Sequence, residues 1–364
     1  MKVVHLVPAM EQGGVETVVC DLVRELGVSW ESVVVSKGGR MVKRIEAAGG
    51  RHVALDLKSK NPFTYLWRAW RLLRILRRER PDLVCVHSRL PAWIYVGACK
   101  MDSIVRLSDY SIVSLPVISY AHGANSVSRY SAVMTRGDLI ITPSRFLADY
   151  LKANYGAPEE KIRVIPNAVD ADRFDPEKLD RAFIAEKKRE WGIREGDRVT
   201  MAIGRITPVK GLEGLIGDFA RAVAEDRDST ACSRKLIIVG GADKHHLKYL
   251  ESLKKLASTV HLSPSPIVFA GPQEKIPECI AIADEIVSAN TTKPETFGLS
   301  VVEAYAMNKP VKAKRFGGVA EVMEAVEKAG KPTLREAALS LYAPELQAAR
   351  TRTAYREIVS NSRA

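Results

Sequence analysis

The chain has 364 residues, enough for two domains with a full core each at roughly 150 residues per domain. Its composition, 46% apolar and 27% charged, excludes a disordered chain, and the absence of any apolar run near ~18 residues excludes a membrane-spanning helix. A net charge of +12 favours an anionic partner, whether a phosphate-bearing ligand, an acidic membrane face or nucleic acid.

In chain order, Val3–Val7 reads as a strand, followed by Gly13-Gly14 and a helix from Val15 to Leu26. Strands are predicted at Glu31–Ser36, Leu83–His87, Val117–Tyr120 and Leu139–Thr142. The segment 157–190, rich in Pro, Asp and charge, reads as the boundary region, with a helix over Lys178–Glu190. The rhythm then restarts at Val199–Ile203, Leu236–Val239, Ile267–Phe269 and Glu285–Ser288. Apolar runs alternating with amphipathic stretches predict parallel sheets covered by helices. The expected organisation is an N-terminal Rossmann-like domain over 1–175, a C-terminal one over 176–345, and a last helix over 346–364 crossing back to the first. Such sheets bind ligands at the carboxyl ends of their strands.

Cys20, Cys85, Cys99, Cys232 and Cys279 are odd in number and scattered, without metal-ligand spacing, so a reducing compartment is expected and no metal site. The opening MKVVHLVPAM is too short for a signal-peptide core before Glu11 interrupts it. A cytoplasmic protein, soluble or peripheral on a membrane, is the expectation. No basic-aromatic module supports nucleic-acid binding.

The segment Lys293–Pro310 carries the most information. Pro294 and Gly298 place Glu295 on a turn, and a helix starts at Leu299 and stops before Pro310. The N–H groups of Phe297, Gly298 and Leu299 then open a helix, a natural place for an anion. Glu303 inside the helix suits vicinal hydroxyls, and Glu295 a second polyol. Phosphate and two hydroxyl-rich groups together describe a nucleotide sugar. An ordinary strand-turn-helix unit with surface glutamates has the same spacing. After the strand ending at Gly204, Arg205 and Lys210 emerge where they would neutralise a diphosphate, or stand as two solvated cations. Glu11-Gln12-Gly13-Gly14 lacks the dinucleotide fingerprint; it is a tight turn or a bare backbone for a substrate.

Together these residues resemble the retaining glycosyltransferases of family 4, with their GT-B architecture of two facing Rossmann-like domains and an interdomain cleft. Glu295 to Glu303 matches the family's E-x7-E motif, and Gly204-Arg205 with Lys210-Gly211 its phosphate-binding segment. Val164-Ile-Pro-Asn167-Ala-Val-Asp170 resembles its linker, and Gly317-Gly318 with Glu321 its G-G…E turn. The resemblance implies that Arg205 and Lys210 bind the donor diphosphate, aided by Gly204 and the amides of Phe297, Gly298 and Leu299. It gives Glu303 the nucleotide ribose, Glu295 the hydroxyls of the transferred sugar and Pro272, in Gly271-Pro272-Gln273, the border of the base. Gly14 would lie against phosphate or acceptor, and His122 near the reacting sugar. On the acceptor side, Gly13, Arg89, Asn125, Arg129 and Tyr130 resemble members acting on bacterial lipopolysaccharide core. The implied donor is a UDP-, GDP- or ADP-sugar, with no further cofactor, and the implied acceptor a glycolipid or oligosaccharide. A silent nucleotide-sugar-binding subunit, or an epimerase or phosphorylase of the same architecture, are the alternatives.

The chain departs from the family pattern at Asn308 and Ala168, where glycine is usual, and after Glu321, where a further strand is hard to find. Asn61–Arg80 carries six arginines and two tryptophans. Positions 66, 70, 73 and 77 predict one stripe, and Arg71, Arg74 and Arg78 another face. The stretch is either a crossover helix with solvated arginines or a helix resting on an anionic inner leaflet.

Overall fold

The computed structural model describes residues 1–11, 13–27, 30–105, 110–225, 233–259, 266–290 and 293–363; Gln12 and Cys232 lie outside them. The chain forms two compact units, Met1–Ala168 with Pro344–Ala364, and Val169–Ala343. These limits fall a few residues before 175 and 345. The reason lies in packing: Val169 and Phe174 are buried in the second unit's core, and the Val169 N–H donates to Tyr342 O at 2.9 Å.

The first unit runs β1 (Lys2–Leu6), α1 (Gly14–Leu26), β2 (Glu31–Ser36), α2 (Val42–Ala47), β3 (Arg51–Ala54), α3 (Tyr65–Glu79), β4 (Leu83–Val86), α4 (Arg89–Val105), β5 (Val117–Tyr120), β6 (Leu139–Thr142), α5 (Arg145–Tyr155) and β7 (Ile162–Val164). Its strands form a parallel seven-stranded sheet in the order β3-β2-β1-β4-β5-β6-β7. The second unit runs α6 (Arg181–Glu190), β8 (Arg198–Ile203), α7 (Leu212–Glu225), β9 (Arg234–Val239), α8 (Leu247–Ala257), β10 (Ile267–Gly271), α9 (Ile276–Ile282), β11 (Glu285–Ser288), α10 (Leu299–Ala306), β12 (Val311–Ala313), α11 (Gly318–Lys328) and α12 (Leu334–Tyr342). Its parallel sheet has the order β10-β9-β8-β11-β12. The last helix, α13 (Pro344–Arg363), belongs to the first unit.

Side-chain parity divides the first sheet. Val4, Leu6, Val84 and Val86 face one cluster with α3 and α4, while Val3, Leu83, Cys85, Ile118 and Tyr120 face another that includes Ala354, Tyr355 and Val359 of α13. Helix ends are marked as elementary chemistry requires. Ser144, Asp180 and Thr333 accept from the N–H groups of Leu147, Phe183 and Glu336 at 3.2, 3.0 and 3.1 Å.

Two departures from the family pattern acquire a physical account. Asn308 sits just past α10 at φ 55°, the left-handed region, and its Oδ1 accepts from the Leu334 N–H at 3.2 Å. Asparagine tolerates that region better than most residues and so preserves the helix stop that glycine would give. After α11, the described residues form α12 rather than a strand.

The basic stretch corrects the predicted stripe. Ala69, Leu72, Leu73 and Leu76 face inward, whereas Leu66 and Trp70 face out, 64% and 43% exposed. Arg68 is not solvated. It is 2% exposed, and its guanidinium donates to the carbonyls of Asn61 at 2.8 Å, Thr64 at 3.2 Å and Ser59 at 2.5 Å. Arg77 is likewise committed, holding buried Asp102 at 3.1 and 2.7 Å.

Candidate functional site

In the second sheet the strand order reverses between β8 and β11, the place where doubly wound sheets open a crevice. A shallow hollow lies there, lined by Gly204, Arg205 and Lys210 after β8 and by Val287, Ser288 and Asn290 at and after the end of β11. Gly240, just after neighbouring β9, has φ 148°, and a Cβ there would run into the Gly204 carbonyl, so only glycine fits.

Arg205 is exposed at the rim and Lys210 half-buried. The Lys210 ammonium donates to the Glu295 carboxylate, joining the loop after β8 to the loop before α10. The Glu295 carbonyl accepts from the Gly318 N–H at 2.8 Å, which fixes the loop on the start of α11. Phe297 is 4% exposed and meets Tyr342 edge-on at 5.6 Å, so its side chain anchors the loop while its amide opens the helix. Gly298 caps α10 at φ 91°, and its carbonyl accepts from Val301 at 2.9 Å and Val302 at 3.3 Å. Leu299 and Glu303 are half-buried on the first turns. Pro272 is exposed beyond β10, facing Gly241, beside Gln273, whose amide donates to Ala270 O at 2.6 Å.

One residue escaped sequence reasoning. Asn290 is 4% exposed, lines the hollow, and its Oδ1 meets no partner among the described residues. The readable signal was a polar residue two positions past an apolar strand.

In the first sheet the reversal lies between β1 and β4. Gly13 caps α1 in extended conformation, with its carbonyl accepting from Thr17 Oγ1 at 3.0 Å. A Cβ on Gly14 would point into open space. Arg89, at the start of α4, donates to Ser131 Oγ at 3.1 Å and lies over the Tyr130 ring at 5.4 Å. Tyr130 in turn stacks on Trp93 at 6.4 Å, and Arg136 lies over Trp93 at 5.4 Å. These four side chains form a ladder beside exposed Arg129. Asn125 serves its own turn: its amide donates to Gly123 O at 3.2 Å and its carbonyl accepts from Tyr150. His122 is half-buried just after β5 and borders a small hollow with Asn167 and Gln347. Burial pushes its imidazole down to about 4, so it is neutral near pH 7. The site residues predicted from sequence thus fall into two groups, one on each unit. Among the described residues no cluster of His, Cys, Asp or Glu has the makings of a metal site.

The family model "Glycosyltransferase Family 4" matches residues 12–173, and "Glycosyl transferases group 1" matches residues 183–331. The chain belongs to glycosyltransferase family 4. Among curated relatives of this family, a D-inositol 3-phosphate glycosyltransferase of Rhodococcus jostii is 29% identical over 51% of this chain and 39% of its own. A GDP-mannose-dependent phosphatidylinositol monomannoside mannosyltransferase of Mycolicibacterium smegmatis is 32% identical over 51% of this chain and 46% of its own. The N-acetyl-alpha-D-glucosaminyl L-malate synthase of Bacillus anthracis is 22% identical over 70% and 62%. The chain therefore spans less than two thirds of the length of these relatives. A glycosyltransferase structure from Rickettsia africae matches at TM-score 0.80 and 23% identity over 99% of both chains. Anabaena Alr3699/HepE in complex with UDP and glucose matches at 0.77 and 18%, over 98% of this chain and 99% of that one. These likenesses establish a GT-B fold built of two parallel-sheet α/β domains.

Proposed function

We propose that this family 4 chain is a retaining glycosyltransferase, moving a sugar from a UDP-, GDP- or ADP-sugar to a hydroxyl of a glycolipid or saccharide acceptor. Bacterial lipopolysaccharide core or another cell-envelope glycan is the proposed context. The observation that carries the reading is the placement of Arg205 and Lys210 on one hollow at the strand-order reversal of the second sheet.

The reaction breaks the bond between the anomeric carbon and the β-phosphate oxygen, and the electron pair leaves with the nucleoside diphosphate. The acceptor oxygen bonds the same carbon from the same face, and its proton passes to the departing phosphate oxygen. Negative charge grows on the diphosphate, so Arg205 and Lys210 contribute most, with the amides of Phe297, Gly298 and Leu299 beside them. Glu303 takes the ribose hydroxyls and Glu295 those of the sugar. Lys210, already bound to Glu295, couples recognition of the sugar to recognition of the phosphate. Asn290 offers a further polar contact in the same hollow. Arg89, Arg129 and Tyr130 supply a cationic and aromatic surface for an acidic or phosphorylated acceptor.

Thermal-shift measurements with UDP, GDP and ADP and their sugars test the donor assignment. One nucleotide should raise the melting temperature of the wild type and not of Lys210→Ala; equal shifts in both proteins would overturn it. Turnover without an acceptor would favour an epimerase, dependence on inorganic phosphate a phosphorylase, and donor binding without transfer to any acceptor a silent binding subunit.

The exposed face around α3 supports peripheral attachment to an anionic leaflet. Phe63, Leu66, Trp67 and Trp70 are 93, 64, 53 and 43% exposed, and Arg71 and Arg74 lie over the two indole rings at 5.6 and 4.9 Å. Indoles at the interface with guanidinium groups on the headgroups suit such a surface. Sedimentation with phosphatidylglycerol vesicles should drop in Arg71→Glu/Arg74→Glu, and unchanged binding would remove the idea.

A further inference from the structure

Past the far end of α10 the second unit carries an open groove of about 460 Å³, a size that small ligands fill. It shares no residue with the hollow lined by Arg205 and Lys210. The eight residues of α10, a length of about 12 Å, stand between the loop at Gly298 and the groove's Met307 and Lys309. Leu179, Ala281 and Met307 give the groove apolar walls, and Arg181, Lys309 and Arg335 bring three cations to it. None of the nine residues that line it is acidic. The proposed reaction uses none of them.

The three charges are held in place by neutral groups. The Lys309 ammonium is half-buried and donates to the Ala281 carbonyl at 3.0 Å, and it forms no ion pair among the described residues. Burial pulls its pKa below the ordinary value, with Asp284 opposing the fall and Lys188 adding to it. Arg335 donates to the carbonyls of Phe174, of Ala306 at 2.6 Å and of Ala171 at 3.2 Å. Its approach to a carboxylate, Asp175 at 3.9 Å, is long and shared with Lys178. Arg181, at the start of α6, is exposed and makes no hydrogen bond or ion pair among the described residues. Carbonyls fix Lys309 and Arg335 without cancelling their charge, so an anion arriving here meets donors already in position. Three cations favour a double negative charge over a single one, and the apolar walls favour a ligand with an apolar body over a bare ion. Met307 is buried and Leu179 and Ala281 half-buried, so no exposed apolar rim is offered to a membrane.

We propose that this groove is a second ligand site, which takes a small phosphate monoester with an apolar body. The phosphate sits between Lys309 and Arg181, and the apolar part lies over Leu179, Ala281 and Met307. Arg335 orders the groove through its three carbonyls and adds its charge to the field. The site uses no residue of the donor hollow, so it stands whether or not the chain transfers sugar.

Methyl NMR of the full chain with ¹³C-methyl-labelled methionine near pH 7 tests it, with n-octyl phosphate as the probe. The Met307 signal, assigned through Met307→Leu, should shift and saturate as octyl phosphate is added. Inorganic phosphate, which lacks the apolar body, and 1-octanol, which lacks the charge, should move it only at far higher concentration. In Lys309→Gln/Arg181→Gln, whose new amide at 309 can still donate to Ala281 O, the shift should need ~10-fold more octyl phosphate or beyond. Lys210→Ala should titrate like the wild type. A Met307 signal unmoved by octyl phosphate would overturn the proposal, as would equal action of inorganic phosphate or octanol, and none of these outcomes needs a variant to fold. So would wild-type titration of the folded double variant, or loss of the shift in Lys210→Ala. A shift produced by phosphatidic acid vesicles would make the occupant a membrane lipid and overturn the small-ligand assignment.

Discussion

In the first sheet a histidine row, His5, His87 and His122, each 3.0 Å from the next, sets uncharged imidazoles and phenols among the strand ends, whereas the second sheet ends in exposed Arg205 and the Lys210–Glu295 pair. Both edges follow a strand-order reversal in a parallel sheet. Burial separates them. Desolvation holds His5 and His122 down to about 4 and His87 well below its ordinary value. At the second edge the cations remain in contact with water or a carboxylate, so their charge is available to a ligand. The same scaffold thus offers fixed dipoles in the histidine row of one unit and fixed charge at the strand ends of the other.

The sharpest way to break this comparison is to remove charge from the second edge. Lys210→Ala or Arg205→Ala should lower turnover roughly 10²-fold or more in a donor-consumption assay. Normal turnover in Lys210→Ala would show that the pair is only surface charge.

Acid should act first on the other edge. His5 is neutral when folded and takes a proton near 6.5 when unfolded, so below that pH the unfolded chain binds more protons. Stability is full above about pH 6.5 and falls as pH drops toward 4, by about 3 kcal/mol for this one imidazole. Urea midpoints across that window should show the slope in the wild type and a shallower one in His5→Phe.

Smaller effects sharpen the contrast at the level of the backbone. Asn308→Ala keeps the left-handed turn after α10 with a residue that dislikes it and should cost about 1 kcal/mol in a denaturation midpoint. Asn308→Gly should cost less. Gly14→Ala, where a Cβ meets open space, should move stability by under ~0.5 kcal/mol. A drop in turnover for that variant would place a ligand against the loop.

Interior strands of both sheets were legible because a parallel strand covered on both faces reads as an apolar run. Glu31–Ser36, Val117–Tyr120, Leu139–Thr142 and Glu285–Ser288 coincide with β2, β5, β6 and β11. The strands that escaped, β3, β7 and β12, are all edges, short and half-polar, as in Arg51-His-Val-Ala and Ile162-Arg-Val. Edge strand β10 was read two residues short for the same reason. At the site, spacing placed Glu295, Gly298 and Glu303 on a turn and a helix but gave no hint of the Lys210–Glu295 contact, which joins residues far apart in sequence. The histidine row was equally hidden. It depends on inter-strand register, which single histidines at separate strand ends do not reveal. Arg68 was grouped with solvated arginines because helical spacing does not report the loop carbonyls that enclose it.

Helix α13 carries an implication for biosynthesis. Ala354, Tyr355 and Val359 join the cluster that Val18, Leu22 and Leu26 of α1 form with Val3, Leu83 and Ile118, so part of the earliest strand's cover is made long after the strand itself. While the second unit is being translated, that part of the apolar face stays uncovered. A nascent chain stalled ahead of Pro344 would be a ready client for chaperones, and the first unit would close only once α13 has been made.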